Sequence, residues 1–95
     1  MTEQAIERCE IRCIKKEVRE TDGFVICYSL TEREGKGEFG SIYSVTVSVK
    51  KGLYSDEKTA YDITRELGRA EELFQLLVRN TVMPCTLLEI LEDIL

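Results

Sequence analysis

The chain has 95 residues, 43% apolar and 33% charged, which fits one folded domain over 1–95 and is too apolar for disorder. Its net charge of −5 comes entirely from residues 52–95, where nine acidic residues face four basic ones, so nucleic acid is a poor partner. Histidine is absent, which leaves near-neutral acid–base chemistry to a strongly shifted Cys, Lys or carboxylate and argues against an enzyme.

The start, Met1-Thr2-Glu3-Gln4, is polar and acidic and unlike a secretory signal, and no apolar run approaches the ~20 residues of a membrane helix. The expectation is a cytoplasmic protein with reduced thiols and no membrane partner. Residues 9–20 read as a strand, followed by Thr21-Asp22-Gly23 as a three-residue hairpin loop with Gly23 in the left-handed position. That loop sets Glu20 opposite Phe24, Val18 opposite Ile26 and Ile14 opposite Leu30. Cys9, Ile11 and Cys13 then have the wrong parity, so either a bulge lies near residue 13 or residues 2–13 begin as a helix. Phe24, Ile26, Tyr28 and Leu30 line one face of the second strand, and Val25, Cys27, Ser29 and Thr31 the other.

After a glycine-rich loop from Glu34 to Ser41, the alternation of Tyr43, Val45, Val47 and Val49 with Ser44, Thr46, Ser48 and Lys50 marks a half-buried antiparallel strand. A polar turn after Lys51-Gly52 leads to a short fourth strand around Lys58–Ile63, with Tyr61 and Ile63 inward. The first helix has Thr64 as N-cap, a stripe of Leu67, Ala70, Leu73, Phe74 and Leu77, and Asn80 as its left-handed end. In the second, Thr86 and Glu89 form a capping box, Cys85 staples against Ile90, and Leu87, Ile90, Leu91 and Ile94 make the stripe. Short turns exclude parallel pairing, so the fold class is α+β: a four-stranded antiparallel meander over about 9–63, then two C-terminal helices over about 64–95 packed on one sheet face.

Gly35-Lys36-Gly37-Glu38-Phe39-Gly40 matches G-x-G-x-x-G, but a strand follows where the dinucleotide fold needs a helix. The kinase-type glycine loop does join two strands, yet no catalytic loop, metal motif or second lobe accompanies it. Its glycines are read as serving turn geometry. The cysteines Cys9, Cys13, Cys27 and Cys85 contain no C-x-x-C pair and are read as small buried apolar side chains. No catalytic residue, cofactor site or metal site is expected. The alternative is a thiol-based metal or redox sensor using those four cysteines, and Cys85 at a helix start is the thiol to suspect of reactivity.

The remaining signal is surplus apolar helix surface. Leu76 and Val78 flank the first helical stripe, Leu88 and Leu95 the second, and Glu89, Glu92 and Asp93 give the last helix an acidic arc. Together they suggest a protein-interaction surface, with a second copy of the chain or a basic partner as its occupant.

The ending Val82-Met83-Pro84-Cys85-Thr86-Leu87, with Glu92-Asp93 and Leu95, resembles the V-x-P-C-T-L…ED-x-L close of a family of short uncharacterised proteins of Gram-positive anaerobic bacteria. Tyr28-Ser29-Leu30-Thr31-Glu32, Ile42-Tyr43-Ser44-Val45 and Asp62-Ile63-Thr64 fit the same pattern, so the resemblance covers about 24–95. It implies a small bacterial intracellular protein and brings no activity and no binding residues with it.

Overall fold

Turn chemistry decides how the first two strands meet. A computed structural model describes residues 11–34 and 40–94, in which β1 (Ile11–Thr21) and β2 (Phe24–Glu34) form an antiparallel hairpin. Asp22 and Gly23 both have positive φ, 51° and 84°, so they alone form the turn, and Thr21 pairs directly with Phe24. The loop is therefore two residues long rather than three. Two consecutive left-handed residues are what a type I′ turn needs, and Asp-Gly is among the strongest sequences for it. The one-residue change sets Val18 opposite Cys27 and Glu20 opposite Val25, which carries Val18 to the sheet face away from the core and leaves it half exposed. The expected bulge is present between Cys13 and Lys15: Ile14 has no partner on β2, packs against the core, and Lys15 faces Leu30. Residues 11–13 are strand, and the helical alternative for the rest of 2–13 lies outside the described residues.

β3 (Ser41–Lys51) and β4 (Tyr54–Thr64) complete one sheet in the order β1-β2-β3-β4. The expected inner faces hold: Ile26 faces Val49, Tyr28 faces Val47 and Leu30 faces Val45, all buried. β4 is a full-length strand rather than a short one, because Gly52 at φ 58° begins a two-residue turn that lets Lys51 pair with Tyr54. Its inward residues are Ala60 and, partly, Ile63; Tyr61 points outward, contrary to expectation. The reason is a second bulge. Val45 faces Ala60 but Tyr43 faces Thr64, and Asp62 sits at φ 54°, so the parity of β4 is broken just past Ala60.

Two helices, α1 (Leu67–Arg79) and α2 (Pro84–Ile94), cover one face of the sheet, α1 lying against β2, β3 and β4 and α2 against β3 and β4. Phe74, Leu73, Leu77, Ala70, Leu87 and Leu91 meet the strand residues in one buried cluster. Their ends differ from expectation in three ways. Glu66, not Thr64, is the N-cap of α1; it makes no side-chain cap, and the Thr64 hydroxyl accepts from the Glu66 N–H at 3.2 Å one step earlier. Asn80 has φ −93°, and the left-handed position falls on Thr81 at φ 49°. The Val82 N–H then reaches the Leu77 carbonyl and the Thr81 N–H the Val78 carbonyl, each at 3.1 Å, which is a Schellman ending built on a β-branched residue. Finally, α2 starts at Pro84, whose missing N–H costs nothing in the first turn; Thr86 is already inside the helix, donating to the Met83 carbonyl at 3.3 Å, and Cys85 is exposed rather than stapled.

Among the described residues, no helix is long and apolar enough to cross a membrane.

Candidate functional site: the free edge of β4 and the groove beneath it

A four-stranded meander has two free edges, and the two are built differently. Along β1, the bulge at Ile14 and the charged run Lys15, Lys16, Glu17, Arg19 and Glu20 guard the backbone against further pairing. β4 runs regularly from Tyr54 to Ala60 before its bulge. Because Lys51 and Tyr54 close a two-residue hairpin, they are a hydrogen-bonded pair, and alternate residues Asp56, Lys58 and Ala60 share that orientation toward β3. Ser55, Glu57 and Thr59 therefore direct their N–H and C=O groups to the open side. The Glu57 N–H bears this out, donating to the Asp56 carboxylate at 2.8 Å instead of joining the ladder. Thr46 and Thr59 agree as well: their hydroxyls meet at 2.8 Å, the close side-chain approach of a non-hydrogen-bonded pair.

Side chains alternate in the same way. Asp56 and Lys58 lie on the helix side, opposite Val49 and Val47, but beyond the cover of the helices, so both are exposed. Ala60 lies on that side too and is buried. Below it, the bulge and α2 enclose an open groove of about 610 Å³ lined by Tyr61, Ile63, Leu88, Leu91 and Glu92. The bulge that turns Tyr61 outward is tied in place from the opposite face: the Asp62 N–H donates to the Ser44 hydroxyl at 2.9 Å, and the Arg33 guanidinium meets the Asp62 carboxylate at 2.7 Å. Ser44 is buried for this purpose, and Thr31 donates to its carbonyl at 3.3 Å.

The residues singled out from the sequence are placed unevenly. Leu88 lies on the rim of this groove, half exposed, and Glu92 lines it. Glu89 and Asp93 are exposed on α2. Val78 belongs to the core: it follows Phe74 by four residues and so shares its buried face. Leu76 is half buried in a shallow hollow with Arg69 and Ile94, where the Arg69 guanidinium donates to the Ile94 carbonyl at 3.0 Å and ties the ends of the two helices together. Leu95, Cys9 and residues 35–39 of the glycine loop lie outside the described residues.

The described cysteines are not gathered. Cys13 and Cys27 sit on the open sheet face, opposite Thr31 and Val18, while Cys85 is on α2, which packs against the other face. Cys13 and Cys85 are exposed, contrary to the reading of all four as buried apolar side chains; for Cys85, the start of α2 at Pro84 turns it to solvent. Among the described residues no group of three or more Cys, Asp or Glu side chains is arranged to hold a metal ion.

One further polar cluster lies where β2 meets β3. Hydrogen bonding from Ser41 and from the Arg12 guanidinium holds the Glu32 carboxyl below its usual range, and the Tyr43 hydroxyl donates to the same carboxylate at 3.4 Å. Burial, and then that carboxylate, push the Tyr43 phenol up. The arrangement keeps Glu32 charged and Tyr43 neutral, each satisfied by the other.

Tyr61, Leu53 and Tyr54 are exposed apolar residues around this edge that the sequence does not single out, and Val18 and Leu67, expected on buried faces, are exposed as well. Simple parity puts Tyr61 inward, and Leu53 lies inside a turn; the signal for the bulge is an aromatic beside an Asp able to take a left-handed φ.

No curated protein and no solved structure matches the chain. A sequence family does match residues 9–95, nearly the whole length, and the chain belongs to it: a family of unknown function (DUF6514).

Proposed function

We propose that this chain is a non-enzymatic protein-interaction module that associates with a second copy of itself through β4 and the groove under it. What supports the reading is that, among the described residues, four of the eight exposed large apolar side chains gather around this one free edge, the others (Ile11, Val18, Val25 and Leu67) being spread over β1, β2 and the start of α1. Leu53 is fully exposed, Tyr61 is 77% exposed, Tyr54 54% and Leu88 47%, and all four lie on β4, its turn or the groove rim. Exposed apolar residues scattered singly need no explanation, but a set along an open strand edge is a template for pairing.

Leu88→Glu tests this without disturbing the core, since the side chain is already half in water. Sedimentation equilibrium on the wild-type chain gives a dimer, and the variant dissociates at least about tenfold more readily, as expected when roughly 1.5–3 kcal/mol of leucine burial is lost. A wild-type chain that sediments as a monomer at every accessible concentration refutes the proposal.

A further inference from the structure

The alternation of β4 fixes how two copies meet. Resting on the self-association proposed above, we infer that the dimer is a continuous eight-stranded sheet in which β4 pairs antiparallel with β4 of a second copy about a two-fold axis through Glu57.

A two-fold axis normal to the sheet keeps each face on its own side, so a residue can face only residues of its own parity. It must also bring outward-directed backbone groups together, and these belong to Ser55, Glu57 and Thr59. Five registers centre on Ser55 to Thr59: centred on Ser55, the axis sets Tyr54 against Asp56, and centred on Asp56 it sets Asp56 against Asp56. Centred on Lys58, the axis sets Lys58 against Lys58. Centred on Thr59, it sets Asp56 against Asp62. Centred on Glu57, it sets Asp56 of each copy against Lys58 of the other, giving two ion pairs on the helix side. The same register places Ser55 opposite Thr59 and Tyr54 opposite Ala60. The last pair matters for the groove. Ala60 is the small buried residue at its wall, beside Leu88 and Leu91, and Tyr54 is a large ring left half in water. The ring of each copy therefore fills the groove of the other, and Leu53 comes alongside Tyr61.

The cost of this register is Glu57 opposite itself. That carboxylate is exposed on the open sheet face and stays in water, whereas the Asp56–Lys58 pairs are at non-hydrogen-bonded positions, where side chains approach most closely. Pairing also gives the Glu57 N–H a backbone acceptor and releases the Asp56 carboxylate, its present partner, to meet Lys58. The heterologous alternative, β4 against β1 of the next copy, is head-to-tail and builds rings or filaments rather than a two-fold dimer; it must also accommodate the bulge at Ile14.

The test exchanges the charges. Lys58→Asp places Asp56 against an aspartate twice, and Asp56→Lys places Lys58 against a lysine twice. Each variant alone loses at least about tenfold in dimer affinity by native mass spectrometry, since like charges face each other at the interface. Mixed in equal amounts, the two variants form a heterodimer with both ion pairs restored, and the double variant, with the pairs reversed, dimerises as the wild type does. Both positions, Asp56 and Lys58, are exposed, and the double variant answers the question even if a single one folds poorly. A wild-type dimer indifferent to either single change, a mixture that stays monomeric, or growth into filaments overturns the register while leaving self-association standing. A monomeric wild-type chain overturns both.

Discussion

Phe74→Ala lowers the free energy of unfolding by about 3–5 kcal/mol, a large share of the roughly 5–15 kcal/mol that holds a domain of this kind together. Phe74 is fully buried in the middle of α1, in the cluster that joins the helices to Tyr28, Val45 and Val47. The sheet offers little room to close over the void, because its strands are fixed by their ladders on both sides of β2 and β3. Urea titration followed by far-ultraviolet circular dichroism measures the change as a lower midpoint at unchanged slope. A loss below about 1.5 kcal/mol would mean that the helices re-seat on the sheet, and that the layer contact is looser than the burial of Phe74 implies.

The second large effect is at Tyr28. Its ring is buried between sheet and helices, and its hydroxyl donates to the Val82 carbonyl at 3.0 Å in the turn between α1 and α2. Tyr28→Phe keeps the ring and leaves that carbonyl without its donor, at a cost of about 1–3 kcal/mol. Burial of the same hydroxyl sets the response to alkali. Burial pushes the Tyr28 phenol up, against a smaller opposing pull from Arg19. A raised phenol means that the folded state resists ionisation more than the unfolded chain does. This contribution is therefore complete below the unfolded value near 10, and it is lost as pH rises through the higher folded value. Tyr43 acts in the same direction, so the wild-type chain loses stability above about pH 10. Chemical denaturation at pH 8 and at about pH 11 tests both parts: the gap between wild type and Tyr28→Phe narrows at the higher pH. A gap that widens contradicts the assigned role of the hydroxyl.

Much of this arrangement was legible from residue order. Strict alternation from Tyr43 to Val49 named the buried face of β3 without help, and the 3.6-residue spacing of Ala70, Phe74 and Leu77 named that of α1. Three of the departures from expectation lie where a single residue takes a left-handed conformation. Asp22 and Gly23 share the first turn, so Val18 moves to the open face; Asp62 bends β4, so Tyr61 turns outward; Thr81 takes a left-handed conformation that Asn80 suited better. In each case a non-glycine residue occupies positive φ, a choice decided by the surrounding hydrogen bonds rather than by propensity. The proposed interaction surface is half legible in the sequence. Leu88 reads as a flank of a helical stripe and Glu92 as part of an acidic arc, but the groove residues beside them, Ala60 and Tyr61, come from a strand nearly thirty residues away, brought there by the packing of α2 against β4. Val78, expected to flank the stripe, follows Phe74 by four residues and so shares its buried face.

The open edge of β4 can be observed directly through its own amides. Hydrogen exchange on the wild-type chain, read residue by residue at low and high protein concentration, reports whether Ser55, Glu57 and Thr59 acquire partners. The account predicts that these three amides slow markedly as concentration rises, while the exposed amides of the β1 edge at Lys16 and Val18 do not change. Exchange at Ser55, Glu57 and Thr59 that stays fast at every concentration, or protection that appears on β1 instead, contradicts pairing through β4.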